Sequence, residues 1–117
     1  MNVGIVTTWF ERGAAYVSRQ YAEVLQEHGH DVNIFARGGE EYARKDPRWD
    51  AENVEWASRS LVMDPSGIDL RCFRKWLRRV APDVVFFNEQ WTWPPVILCR
   101  ELGIPTVAYI DYYREPD

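Results

Sequence analysis

Polar and aromatic side chains follow three apolar runs of the sequence. Their residue types and their positions after these runs suit ligand binding and acid–base chemistry. Trp9 follows the first run, Asn88, Glu89 and Trp91 follow a later one, and Asp111 follows the last. Aromatic rings stack on the apolar faces of sugars or bases, while amides and carboxylates accept hydrogen bonds from hydroxyl groups. Glu89 and Asp111 could each serve as a general base. Alternatively, each carboxylate could cap a neighbouring loop and have only a structural role. The sequence therefore predicts a crevice that fits a polyhydroxylated ligand.

The loop before the first helix is a second candidate contact. It contains Gly13 and Ala14, whose small size lets backbone amides approach a phosphate or an oxyanion at a helix start. The loop is neither G-x-G-x-x-G nor a P-loop with lysine, and the second apolar run ends without the acidic residue that a dinucleotide fold places on ribose. The sequence therefore disfavours nicotinamide cofactors and ATP hydrolysis, and it predicts no metal site.

Strand-like and helix-like patterns alternate along the chain. Apolar runs predict strands over residues 3–8, 32–36, 54–57, 84–87 and 105–110. Helix-period patterns predict helices over 14–28, 68–80 and 94–102, the last capped by Thr92, with a helical turn around 40–44. Because right-handed crossovers cover each side of a sheet in turn, we expect an α/β fold: a Rossmann-like open parallel sheet of about five strands with helices on both faces. The expected strand order is 3-2-1-4-5, with the crevice beside the switch between strands one and four.

Two of the predicted helices are amphipathic. In the first, one side of the helical wheel carries the apolar residues, which predicts its buried face: Ala14, Val17, Tyr21, Val24 and Leu25. In the helix over 68–80, the side opposite the apolar face is basic: Arg71, Arg74, Lys75, Arg78 and Arg79. The pattern favours a solvated outer face, because the apolar side is needed to cover the sheet, and contact with anionic lipid is the less favoured alternative.

Length and composition limit the class of protein. The 117 residues are enough for one domain with a real core, but few for a complete two-substrate enzyme. The net charge of −4 argues against a nucleic-acid partner. Cys72 and Cys99 lack the spacing of a metal site or redox pair, and the N-terminus has no secretion signal, so we expect a cytoplasmic protein with free thiols.

Several motifs together resemble one family. They are Asn2-Val3-Gly4-Ile5-Val6-Thr7, the Gly13-Ala14 loop, Tyr21-Ala22-Glu23-Val24-Leu25 with His28-Gly29-His30-Asp31-Val32, Ala81-Pro82-Asp83-Val84-Val85, and Gly103-Ile104-Pro105-Thr106-Val107. In order and spacing they resemble the N-terminal domain of family 4 glycosyltransferases, which have the GT-B fold. The resemblance extends over almost the whole chain.

That resemblance implies a nucleotide-sugar-dependent, retaining hexosyltransferase whose N-terminal domain binds the acceptor. Gly13 and Ala14 look like the family's glycine-glycine loop, with alanine in the second place as a departure. Asn88 and Asp111 fall where many members have histidines, so no histidine role is carried over to either. The expected contacts with the acceptor are Trp9, Gly13, Ala14, Asn88, Glu89, Trp91 and Asp111.

The resemblance also implies partners for this domain. They are a C-terminal GT-B domain that holds the nucleotide-sugar donor, a saccharide or lipid-linked acceptor and, through the surface left exposed without that domain, a second copy of the chain. We expect no cofactor in this domain and no transfer by the domain alone. The alternatives are a stand-alone flavodoxin-like binding module and a non-catalytic sugar-binding remnant.

Overall fold

The computed structural model describes residues 1–11, 13–38, 40–57, 68–88 and 92–109. Strands and helices alternate in it along the chain. The elements are β1 (Asn2–Thr8), α1 (Gly13–Glu27), β2 (Asp31–Gly38), α2 (Glu40–Ala43), β3 (Val54–Trp56), α3 (Leu70–Val80), β4 (Val84–Asn88), α4 (Pro94–Glu101) and β5 (Thr106–Tyr109). The predicted end of the last strand, Ile110, lies outside the described residues.

The sheet is parallel throughout, with the strand order β3-β2-β1-β4-β5. This confirms the predicted fold class and the predicted switch between strands one and four. β1 lies at the centre, where Val3 is level with Val32 of β2 on one side and with Val84 of β4 on the other. The carboxyl ends of β1, β2 and β4 therefore meet at one edge of the sheet, which is where ligands bind in such folds.

Each face of the sheet has its own apolar core. α1 packs on one face against β1 and β2, and Ile5 and Ile34 are completely buried there. α3 and α4 pack on the other face, where Phe73 and Trp76 of α3 lie against Phe35 and Phe87. Helices on both faces explain why the central strands are almost continuously apolar.

Gly4 is required by the packing of α3 on β1. A Cβ atom at this position would lie 2.8 Å from Cη2 of Trp76, which is a closer approach than real Cβ atoms make. The indole of Trp76 is itself buried and cannot move aside freely. Glycine therefore lets α3 settle on the centre of the sheet.

The buried face of α1 differs from the prediction. The helix turns Ala15, Ser18 and Ala22 toward the sheet, and leaves Val17 and Val24 exposed. Small side chains at a spacing of three and four residues let the helix axis lie close to β1 and β2, so contact there depends on size more than on hydrophobicity. The helical wheel weighed hydrophobicity alone, so the predicted face was wrong for Val17 and Val24, whereas Leu25 packs against the core as predicted.

Helix ends follow local backbone chemistry. The carboxylate of Asp69 caps α3 by accepting from the backbone N–H of Arg71 at 2.9 Å. Ala81 closes the same helix in the left-handed region, at φ 49°. The cap residue of α4 is Trp93, without a side-chain cap bond, so the predicted cap at Thr92 was wrong; proline at the first helical position leaves no N–H to satisfy there.

No helix in the described part of the chain is long and apolar enough to cross a bilayer.

Candidate functional site

Asn88 links β4 to the first turn of α1. Its side chain is buried at the carboxyl end of β4, and Nδ2 donates to the backbone carbonyl of Ala14 at 2.9 Å and to Oγ of Ser18 at 2.8 Å. Both amide hydrogens are thereby used within the protein. Oδ1 makes no hydrogen bond within the described ranges, so it remains as an acceptor for a donor at the sheet edge.

A chain of hydroxyl groups continues this contact under α1. Ser18 Oγ donates to Oγ1 of Thr7 at 2.8 Å, and Thr7 Oγ1 donates to the carbonyl of Thr8 at 2.8 Å. Ser18 and Thr7 are both fully buried. Since buried polar groups hold their positions when they are fully bonded, this chain fixes the helix start against the ends of β1 and β4.

Arg37 reaches the same edge from β2, and no motif in the sequence indicated it. Thr7 of β1 pairs with Ala36 of β2, but the next residue of β1, Thr8, pairs with Gly38. Arg37 is the extra residue of this bulge, and a bulge re-aims a side chain. Its Nη2 donates to the carbonyl of Asn88 at 2.6 Å, so a guanidinium spans the ends of the central strands.

Trp9 is buried after the end of β1 rather than exposed at the sheet edge. Its ring is 5% exposed, and Nε1 donates to the carbonyl of Trp49 at 2.5 Å. The two indoles meet edge to face at a centroid distance of 5.2 Å, and the guanidinium carbon of Arg19 lies 4.9 Å above the Trp49 ring. Trp9 thus fastens the segment around Trp49 to the end of β1, and its predicted contact with a ligand stays a prediction.

Phe10 and Tyr42 form a stacked aromatic pair beyond the end of β1. Their rings are stacked with centroids 5.1 Å apart, and Tyr42 is 71% exposed. Nearby, the hydroxyl of Tyr16 donates to Glu11 at 3.1 Å. Tyr42 lies in α2, where the sequence predicted a helical turn, but no pattern indicated that this turn would lie beside Phe10.

Gly13 begins α1 without a structural demand for glycine. A Cβ atom built on it would meet no atom of the described residues within 4 Å, and its backbone is not in the left-handed region. Ala14 follows, and its carbonyl holds Asn88. Among the described residues, Gly13 therefore has open space beside it, and it lies at the end of α1 where backbone amides attract anions.

Three predicted site residues lie outside the described residues: Glu89, Trp91 and Asp111. Of the predicted contacts, the structure brings Ala14 and Asn88 together directly, with Gly13 next in the chain to Ala14, whereas Trp9 is buried against Trp49. In the described ranges, no group of three histidine, cysteine, aspartate or glutamate side chains could hold a metal ion.

The fold and the edge just described define a Rossmann-like α/β domain whose candidate site lies at the switch between β1 and β4. The family model for the glycosyl transferase 4-like domain matches residues 12–110, and the chain belongs to this family. The resemblance drawn from the sequence motifs is confirmed.

A solved structure shares the fold. The crystal structure of MurG from Acinetobacter baumannii matches with a TM-score of 0.66 at 18% sequence identity, over 92% of this chain. The match covers 34% of the MurG chain, so the present chain spans about one third of that protein's length. The comparison with curated proteins gave no match.

Proposed function

We propose that this chain is the acceptor-binding, N-terminal domain of a nucleotide-sugar-dependent glycosyltransferase of the retaining type. Membership of the glycosyl transferase 4-like family supports transferase chemistry, and the GT-B fold shared with MurG supports a second domain in the complete enzyme. The donor would be held by that second domain, and the acceptor would be a saccharide or a lipid-linked sugar. We place the enzyme in the cytoplasm, where nucleotide sugars are available.

The observation that carries the proposal is the junction of Ala14 and Asn88. It fixes the start of α1 at the carboxyl ends of the central strands, where no described residue crowds Gly13. A hydroxyl of an acceptor placed there could donate to Oδ1 of Asn88, at the edge where the guanidinium of Arg37 donates to the backbone carbonyl of the same residue. The site thus combines acceptor groups for hydroxyls with a helix start that suits an anion.

Catalysis is expected only from the complete enzyme. Glu89 and Asp111 are the candidates for the base that takes the proton of the acceptor hydroxyl, and Trp91 is a candidate ring for stacking on a sugar. In a full-length enzyme, Trp91→Ala or Asp111→Asn should lower acceptor use more than hydrolysis of the donor. Equal loss of both activities would count against an acceptor role, and inversion at the anomeric carbon of the product would overturn the retaining assignment.

Acceptor binding can be tested on the 117-residue chain by nuclear magnetic resonance. Amide shifts would be followed during titration with alkyl glycosides and, separately, with nucleotide sugars. We expect the glycosides to shift Gly13, Ala14 and Asn88, and the Asn88→Ala variant to lose these shifts. Asn53→Ala is the matched control, because Asn53 bonds the carbonyl of Val32 at the amino end of the sheet. Shifts confined to the amino end, or equal loss in both variants, would contradict the proposed site.

The size of the native protein tests the need for a second domain. An antibody against this domain should detect a band about three times heavier than 13.8 kDa in the source cells, in keeping with the one-third coverage of MurG. A band at 13.8 kDa would instead favour a stand-alone binding module or a non-catalytic sugar-binding remnant.

A further inference from the structure

A groove lies at the amino end of the sheet, on the edge opposite the candidate site. It has a volume of about 630 Å³ and extends from the end of α1 across the starts of β2 and β3. Most of its lining is polar: Gln26, His30, Asp31, Asn33, Glu52 and Asn53. The groove is therefore a polar surface that the proposed transferase site does not use.

Two asparagines of the groove have an unused acceptor. Nδ2 of Asn33 donates to Oδ1 of Asn2 at 3.1 Å, and Nδ2 of Asn53 donates to the carbonyl of Val32 at 3.0 Å. Oδ1 of Asn33 and Oδ1 of Asn53 make no hydrogen bond within the described ranges. Both amides are thus held by their nitrogens, and their oxygens remain for a molecule that carries N–H or O–H donors.

The charge of the groove is negative. Its described lining contains two exposed carboxylates, Asp31 and Glu52, and neither lysine nor arginine. Neither carboxylate has an ion pair or a side-chain hydrogen bond in the part of the chain that the structure describes. α1 ends at the same groove, and its last turn has no basic residue to offset the negative end of the helix dipole. The electrostatic field here therefore favours a positively charged ligand.

His30 adds a buried polar atom to the lining. Its Nδ1 is buried and has no hydrogen-bond partner among the residues described. Buried polar atoms are normally paired, and where the protein supplies no partner, a bound water, ion or ligand does. This atom is a sign, independent of the charges, that the groove holds a bound molecule.

We propose that this groove binds a small organic cation with several N–H groups, of the guanidinium or polyamine class. Its positive charge would lie against the carboxylates of Asp31 and Glu52, and its N–H groups would donate to Oδ1 of Asn33 and of Asn53. A neutral sugar would leave both carboxylates without a counter-charge. A metal ion does not fit, because the described residues contain no group of three suitable ligands. The groove and Asn88 are at opposite edges of the sheet, so this ligand is independent of the proposed transferase function.

The test is titration of the 117-residue chain, followed by the amide shifts in nuclear magnetic resonance spectra. The probes are agmatine, which has a guanidinium and an ammonium group, putrescine, which has two ammonium groups, and hexamethonium, a dication without N–H groups. We expect agmatine or putrescine to shift Asp31, Asn33 and Asn53, and hexamethonium to bind more weakly. The tighter of the first two identifies the class of cation. About 0.5 M salt should weaken the binding, because the carboxylates are exposed.

Charge-matched variants locate the bound cation. D31N with E52Q removes both carboxylates of the groove, and should weaken binding of the better probe by between about twofold and thirtyfold. E23Q with E101Q removes two exposed carboxylates of α1 and α4 outside the groove lining, and should bind as the unaltered chain does. Asn33→Ala keeps the net charge, and should weaken binding of the N–H-bearing cation while leaving binding of hexamethonium unchanged.

Four results would each overturn the proposal. They are equal binding of hexamethonium and the N–H-bearing dications, equal loss in the two double variants, shifts confined to the residues around Asn88, and no shift at the amino end with either agmatine or putrescine. Circular dichroism confirms that every variant is folded.

Discussion

The side chains of Asn88 and Ser18, which are 70 residues apart in the sequence, are hydrogen-bonded at 2.8 Å. Both are buried, and the bond joins the last residue of β4 to the second turn of α1. Asn88 also holds the carbonyl of Ala14, so one amide group fixes the start of α1 at two points. The geometry of the candidate site therefore depends on a pair of residues that are also part of the core.

The coupling of this pair can be measured with a double-mutant cycle. Asn88→Ala leaves Ser18 and the Ala14 carbonyl short of a donor, and should lower the free energy of unfolding by about 1–3 kcal/mol. Ser18→Ala should cost less, and the double variant should cost less than the sum, with a coupling of about 0.5–3 kcal/mol. Urea unfolding of the four proteins gives these values. Strict additivity would show that the bond contributes nothing.

Gly4→Ala should destabilise the fold through Trp76. The new methyl group would meet a buried indole at 2.8 Å, and overpacking of this kind costs about 1–3 kcal/mol. The same substitution at Gly13, where no described residue would lie within 4 Å of the new methyl group, should change stability by less than about 1 kcal/mol. Thermal unfolding of both variants checks the contrast, and Trp76→Phe should relieve part of the Gly4→Ala cost. If both glycine variants were equally stable, the packing of α3 on β1 would be looser than described.

The two cysteines should differ in reactivity. Cys99 is completely buried, and burial raises the pKa of its thiol to about 12 from an ordinary value of 9.0. Cys72 is half-buried. At pH 8 a thiol reagent should modify one cysteine in the folded protein and both in denaturant. Rapid modification of Cys99 in the folded state would contradict the described core.

The same pKa predicts a loss of stability at alkaline pH. Above pH 9 the unfolded chain releases the Cys99 proton while the folded chain keeps it until about pH 12. The unfolded state then binds fewer protons, so the free energy of unfolding falls as the pH rises through this window. Cys99→Ala should remove this part of the pH dependence, whereas Cys72→Ala should retain it. Chemical denaturation at a series of pH values measures the slope.

Asp50 should contribute stability that is lost in acid. Its carboxylate accepts from Nε1 of Trp56 at 2.9 Å and from the backbone N–H of Lys45 at 2.6 Å, and these bonds lower the pKa of Asp50. A lowered folded-state pKa means that the stabilisation is present above the usual carboxyl range and disappears as the pH falls through the folded value. Asp50→Asn should flatten the acid side of the stability profile, while Glu27→Gln, at the end of α1, serves as the control. An unchanged acid side would exclude this contribution.

The order of elements and the sheet were predictable because they depend on patterns that are local in the sequence. Apolar runs alternate with helix-period segments, and right-handed crossovers then leave few ways to arrange a parallel sheet. The positions of Ala14 and Asn88 followed from the same rule, since the ends of adjacent parallel strands meet at one edge. The structure brings these two residues to 2.9 Å.

The surroundings of the site were not predictable, because they depend on single-residue shifts and on returning loops. Nothing in the run from Val32 to Arg37 marks the extra residue that turns Arg37 toward Asn88. Likewise, Trp49 belongs to a polar segment that gave no sign of folding back on Trp9. Side-chain size decided the buried face of α1, whereas hydropathy had indicated another one.

The central place of β1 sets an order of assembly during synthesis. β1 emerges from the ribosome first, but Val3 is level with Val84, and the backbone N–H of Asn2 is held by the carboxylate of Asp83, 81 residues later. At a synthesis rate of about 5–20 residues per second, β4 follows β1 after roughly 4–16 s, whereas β2 is made earlier and can pair with β1 in the meantime. Contacts so distant in sequence make folding slow, and the apolar residues of β1 are the surface that a chaperone would meet in that interval.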